Sequence, residues 1–139
     1  MDSRLSRIAL RVRGYHLDGY GHVNNARYLE FLEEGRWGYF DDRPGLAAFL
    51  QRGDVAFVAV NLNIDYRRAA VAGDDLEVLT RLAELGSRRA RMHQEIRQVR
   101  DGRTVASADI TFVLLDVAAN RAMEIGGEIR EAMAPLVLA

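Results

Sequence analysis

Apolar residues punctuate the first stretch of the chain, RLSRIALRVR (4–13), at Leu5, Ile8, Leu10 and Val12, a mostly alternating pattern that predicts a strand. From Asn25 the period lengthens. Tyr28, Phe31, Leu32, Gly35 and Tyr39 fall on one stripe, with Arg27, Glu30, Glu34 and Asp41 opposite, which predicts an amphipathic helix over 25–40 of roughly 24 Å. Glycine is costly inside a helix, so Gly35 within the apolar stripe points to close packing against another element. DDRPG (41–45) stops the helix, and a loop to Gly53 is expected.

VAFVAVNLNIDYRR (55–68) predicts a long strand with Ala56, Val58, Val60, Leu62, Ile64 and Tyr66 on one face. The other face is apolar at Val55, Phe57 and Ala59 and polar from Asn61, so burial on both sides is expected at one end only. LEVLTRLAEL (76–85), RRARMHQEIRQVR (88–100) and RTVASADITFVLLDV (103–117) predict three further strands, the last two joined at the hairpin signal Asp101-Gly102. GGEIREAMAPL (126–136) predicts a short terminal helix. The expected fold class is α+β: one domain over 1–139, a five-stranded antiparallel sheet packed on one long helix. One helix covers little of such a sheet, so its edge and leftover apolar surface invite self-association.

Composition narrows the function classes. A chain of 139 residues, 49% hydrophobic and 28% charged, supports a core of ordinary size. The net charge of -1 gives no overall pull toward nucleic acid or an acidic membrane. Without cysteine there are no disulfides, thiolate metal sites or cysteine nucleophiles. No stretch has the length of a membrane span or the apolar core of a signal peptide, and the expected location is the cytoplasm.

The candidate chemistry lies in HLDGYGHVNNARYLEFLEEGR (16–36), where His16, Asp18 and His22 precede an asparagine pair at the helix entrance. Taken singly, these residues have plain structural accounts: an Asx-turn at Asp18, a structural histidine at His22, an N-cap at Asn24 or Asn25. Glu33 and Arg36 are spaced for an i,i+3 ion pair. As metal ligands, His16, Asp18 and His22 match no established spacing, and Gly19 and Gly21 would go unexplained.

Taken together, Asp18-Gly19-Tyr20-Gly21-His22-Val23-Asn24-Asn25, followed by Tyr28, Glu33 and Arg36, resembles the 4-hydroxybenzoyl-CoA thioesterase family of hotdog-fold acyl-CoA thioesterases. The shared pattern is an acid, three spacers, HVNN, a tyrosine three residues on, then Glu and Arg in the helix. The element order also resembles a hotdog domain, a sheet wrapped around a central helix. Where the family often has a second acid two positions before the first, this chain has His16. The resemblance implies hydrolysis of an acyl-CoA thioester without cofactor or metal, by homodimers that pair to homotetramers with active sites between subunits.

These residue types suit that chemistry. Unpaired amides at a helix N-terminus stabilise negative charge, so Val23, Asn24 and Asn25 are candidates to polarise the thioester carbonyl. Asp18 can act as general base on water or attack directly to give an anhydride, and the sequence leaves both routes open. Gly19 and Gly21 permit a tight loop. His22 takes a supporting role: orienting Asp18 or water, or protonating the departing thiolate. Arg67, Arg68, Arg88 and Arg89 lie at strand ends and suit the phosphates of CoA, although the run 88–91 reads more readily as a solvated strand edge. Tyr28, Trp37 and Phe57 are candidates to line an acyl slot. Three readings compete: an acyl-CoA binding module without turnover, a hotdog enzyme using acyl carrier protein thioesters, and a hotdog dehydratase or isomerase. The acyl group is not fixed by the sequence.

Overall fold

The computed structural model describes residues 2–139. Its elements are β1 (Leu5–Arg11), α1 (Asn25–Asp41), α2 (Pro44–Gln51), β2 (Val55–Tyr66), β3 (Asp75–Leu85), β4 (Arg89–Gln98), β5 (Thr104–Asp116), β6 (Arg121–Met123) and α3 (Gly127–Met133). The strands pair antiparallel in the order β1-β3-β4-β5-β2, with β6 also on β5. The α+β hotdog architecture is as expected, with six strands among the described residues rather than five. The additional strand, β6, takes up Leu114–Asp116 where the pairing of β4, which begins with Arg89 opposite Val113, leaves off.

The expected stripe of α1 is buried against the sheet: Tyr28, Phe31, Leu32, Gly35 and Tyr39. Gly35 is there for space, since a Cβ would stand 2.6 Å from Val78 Cγ1 and 2.9 Å from Gln94 Nε2. Gln94 is fully buried on β4 and bonds with both amide atoms. Its Nε2 donates to the Leu32 carbonyl at 2.8 Å and to Thr80 Oγ1 at 2.9 Å, and its Oε1 accepts from Arg36 Nη1 at 3.0 Å. Arg36 therefore turns toward the sheet, and the expected Glu33–Arg36 ion pair does not form.

Two expectations along 44–66 are corrected. The segment read as a loop contains α2, begun by Pro44 within its first turn, where a missing N–H costs nothing. β2 is an edge strand with a bulge at Val60, where the register passes from Ala59 opposite Phe112 to Asn61 opposite Thr111. Phe57 and Ala59 thus face the helix side before the bulge, and Leu62, Ile64 and Tyr66 after it. No β2 residue is fully buried, so the continuous apolar face read from alternation is split in two.

Candidate active site

Between β1 and α1 the chain makes a single 3-10 turn (Gly14–His16) and a narrow loop closed by a bridge between Leu17 and Val23. Asp18 organises that loop with one carboxylate oxygen: Oδ1 accepts the N–H of Tyr20 at 2.8 Å and of His22 at 3.2 Å. Its own amide donates to the His22 carbonyl at 2.7 Å, and Gly21 takes the left-handed φ of 78° that the turn needs. Among the described residues, Oδ2 has no hydrogen-bond partner. The His22 side chain is exposed, and it is the His22 backbone, not the ring, that meets Asp18.

The helix entrance narrows the oxyanion candidates. Asn24 is the N-cap, its Oδ1 accepting the Ala26 N–H at 2.9 Å. The Val23 amide is spent on the Ala70 carbonyl (2.9 Å) and the Asn24 amide on the His16 carbonyl (2.8 Å). Neither is free to meet a substrate, which corrects the expectation for both; they hold the entrance in place. The Asn25 N–H, first in α1, has no acceptor among the described residues. The Asn25 carbonyl accepts the Tyr66 hydroxyl at 3.1 Å.

His16 is buried, with Nδ1 accepting the Arg13 N–H at 2.8 Å and the ring edge-on to Phe31 at 4.9 Å. Burial, aided by the nearby Arg27 charge, holds its pKa below the ordinary histidine value, so the ring is neutral at neutral pH. It supports the loop from inside. Tyr28 is also buried, and its hydroxyl accepts the Ala70 N–H at 3.1 Å. It is a strut under the loop and does not line the cleft, contrary to its expected place in an acyl slot.

That cleft, of about 560 Å³, lies between α1, α2 and β2. Phe40, Phe57 and Phe112 are among its lining, with Trp37, Glu33 and Arg36 on the α1 side. Trp37 and Phe57, expected to line an acyl slot, both line this cleft. Asn25, Leu29, Glu33 and Trp37, four residues apart, form a row along α1 that leads from the helix entrance to the cleft. Leu29 and Trp37 are 39% and 57% exposed. β2 accompanies the row, with Tyr66 at Asn25 and Phe57 stacked on Phe40 at 6.1 Å.

The candidate arginines form two groups. The amides of Arg67 and Arg68 both donate to the Val105 carbonyl, a few residues before Ala70 contacts the Asp18 loop. Arg67 Nε donates to Ser107 Oγ at 3.2 Å, and Arg68 lies 3.7 Å from Asp101. Arg88 and Arg89 are exposed at the start of β4, where Arg89 pairs with Val113, roughly 26 Å along β5 from Val105. Within this chain the two pairs lie apart. Sequence reasoning missed Gln94, Ala70 and Tyr66, each of which positions α1 or its entrance; their contacts are long-range and leave no local pattern.

Known proteins share this fold. A family model described as the Thioesterase-like superfamily matches residues 12–133. The chain is 44% identical over 128 residues to the long-chain acyl-CoA thioesterase FadM of Escherichia coli strain K12, covering 92% of this chain and 96% of FadM. The crystal structure of YbaW from Escherichia coli superposes with a TM-score of 0.83 at 42% identity, over 96% of this chain and 99% of that one. The 12:0-ACP thioesterase from Umbellularia californica shares the fold, with a TM-score of 0.89 at 16% identity over 98% of this chain and 51% of its own. The chain belongs to the Thioesterase-like superfamily.

Proposed function

We propose that this protein is a long-chain acyl-CoA thioesterase of the 4-hydroxybenzoyl-CoA thioesterase type, working at the Asp18 loop and the Asn25 amide. The observation that carries the reading is the pairing of two free groups at one loop-to-helix junction: the Asp18 Oδ2 and the single unspent N–H of the helix entrance. The likeness to FadM supports the acyl-CoA substrate and the hydrolytic reaction.

In this mechanism the thioester carbonyl oxygen accepts the Asn25 N–H, whose place at the positive end of α1 suits an oxyanion. Asp18 either takes a proton from water as that water attacks, or attacks the carbonyl carbon itself. On either route the C–S bond breaks and its electron pair leaves with sulfur as the CoA thiolate. On the second, water then hydrolyses the anhydride and restores Asp18. Anchored only through Oδ1, the carboxylate keeps Oδ2 for this work without disturbing the loop. The exposed His22 ring orients water or meets the departing thiolate. No step uses a metal or cofactor.

The acyl chain follows the α1 row to the cleft. Glu33, at the near side, lies eight residues beyond Asn25, roughly 12 Å along the helix. An extended chain advances about 1.2 Å per bond, so about ten bonds are spent before the cleft is reached. Short acyl groups gain nothing from it.

Arg67 and Arg68, at the Asp18 end, suit the CoA phosphates. The open edge of β2 suits a homodimer, since a two-fold copy paired antiparallel there sets the opposite end of the partner's sheet beside this one. The partner's Arg88 and Arg89 then join Arg67 and Arg68 at one site between subunits, and pairing of dimers gives a homotetramer.

Thiol release from octanoyl- to octadecanoyl-CoA tests the reading: turnover that rises with chain length and survives chelator supports it. Tight acyl-CoA binding without turnover would instead favour a binding module, and turnover only of acyl carrier protein thioesters would move the substrate.

A further inference from the structure

Beneath the cleft lies a second, small void of about 10 Å³, bounded by Tyr39, Leu46, Leu82, Met92 and Met133. The two spaces share a wall made of Phe40, Phe57 and Phe112. Phe57 is the central ring: it stacks on Phe40 at 6.1 Å and tilts against Phe112 at 6.1 Å. Phe40 and Phe57 are only partly buried, while Met92 and Met133 behind them are 2% and 3% exposed. The wall is therefore accessible from the cleft and backed in part by two unbranched, adaptable side chains that can make way for a hydrocarbon. The bulge at Val60 aims Phe57 into this wall; strict alternation from Leu62 and Ile64 would have turned it to the outer face.

We propose that Phe57, with Phe40 and Phe112, is a gate that sets the longest acyl chain the enzyme accepts. Terminal carbons that reach the end of the cleft displace the Phe57 ring and enter the space over Met92 and Met133. An acyl chain is the occupant because all eight residues bounding the void are apolar or aromatic, and the cleft begins about ten bonds from the reacting carbonyl. The proposal rests on the thioesterase reading above.

The test is the ratio of kcat/KM for hexadecanoyl-CoA to that for decanoyl-CoA in the full-length protein, with sedimentation velocity on each variant. Each methylene newly buried is worth about fourfold. Phe57→Ala and the milder Phe57→Leu are expected to raise the ratio, the former by roughly tenfold or more, and Phe57→Trp to lower it. A ratio that stays within about fourfold of wild type in all three variants overturns the gate while leaving the thioesterase intact. Loss of the native oligomer with an unchanged ratio also overturns it, and makes the wall a contact between copies. If the wild type hydrolyses no acyl-CoA, the thioesterase reading fails and takes the gate with it.

Discussion

The Ala70 amide donates to the Tyr28 hydroxyl at 3.1 Å, while the Ala70 carbonyl accepts the Val23 amide at 2.9 Å. One residue after β2 thereby ties the first turn of α1 to the loop that carries Asp18. Ala70 is wholly buried, so Tyr28→Phe leaves a donor without water or partner. The expected cost is about 1–3 kcal/mol in urea unfolding, with kcat lowered as the loop loosens. Unchanged stability would mean that the amide finds another acceptor.

Gly35→Ala sets two effects against each other. Alanine favours a helix interior over glycine by about 1 kcal/mol. The new methyl, however, would meet Val78 Cγ1 at 2.6 Å and Gln94 Nε2 at 2.9 Å. Val78 is fully buried and β-branched, with nowhere to turn. Overpacking of about 1–3 kcal/mol should win, giving a net loss of stability and a displaced α1. Thermal unfolding decides the sign, and a raised midpoint would contradict the packing account.

Asn24 separates the cap from the charge. Asn24→Ala removes the acceptor of the Ala26 amide and should cost about 1 kcal/mol in thermal or urea unfolding. Asn24→Asp retains an acceptor and should keep that stability, yet it sets a negative charge beside the amide that meets the oxyanion, so kcat should fall. If Asn24→Asp matches wild type in kcat, the oxyanion does not form at this helix end.

The regular parts of the fold were legible because each segment's period matched its element. The stripe Tyr28–Phe31–Leu32–Gly35–Tyr39 is where the pattern put it. α2 was obscured because it is short and buries only Leu46, and β6 because three residues carry no period. The bulge at Val60 is invisible to alternation when both faces are rich in valine and alanine. At the candidate site, the residue types at 18–25 pointed to the junction. Which amide stays free depends on Ala70 and His16, whose carbonyls arrive through tertiary contacts.

His16 should make stability fall in mild acid. Its folded pKa lies below the ordinary value near 6.5, so as pH drops through that value the unfolded chain takes up a proton that the folded chain refuses. The contribution is complete above 6.5 and is lost progressively below it. Unfolding midpoints measured from pH 7.5 to 5.5 should decline in wild type and decline less in His16→Gln. Parallel profiles would remove His16 from the account.

The most direct test is the rate of thiol release by Asp18→Asn beside wild type on long-chain acyl-CoAs. Asparagine keeps an Oδ1 able to accept from the Tyr20 and His22 amides, so the loop should hold its shape while the charge and the free carboxylate oxygen are lost. A kcat lower by at least about 100-fold, with the unfolding midpoint unchanged, is the predicted result. Equal rates in the two proteins would contradict the central claim that Asp18 drives the hydrolysis.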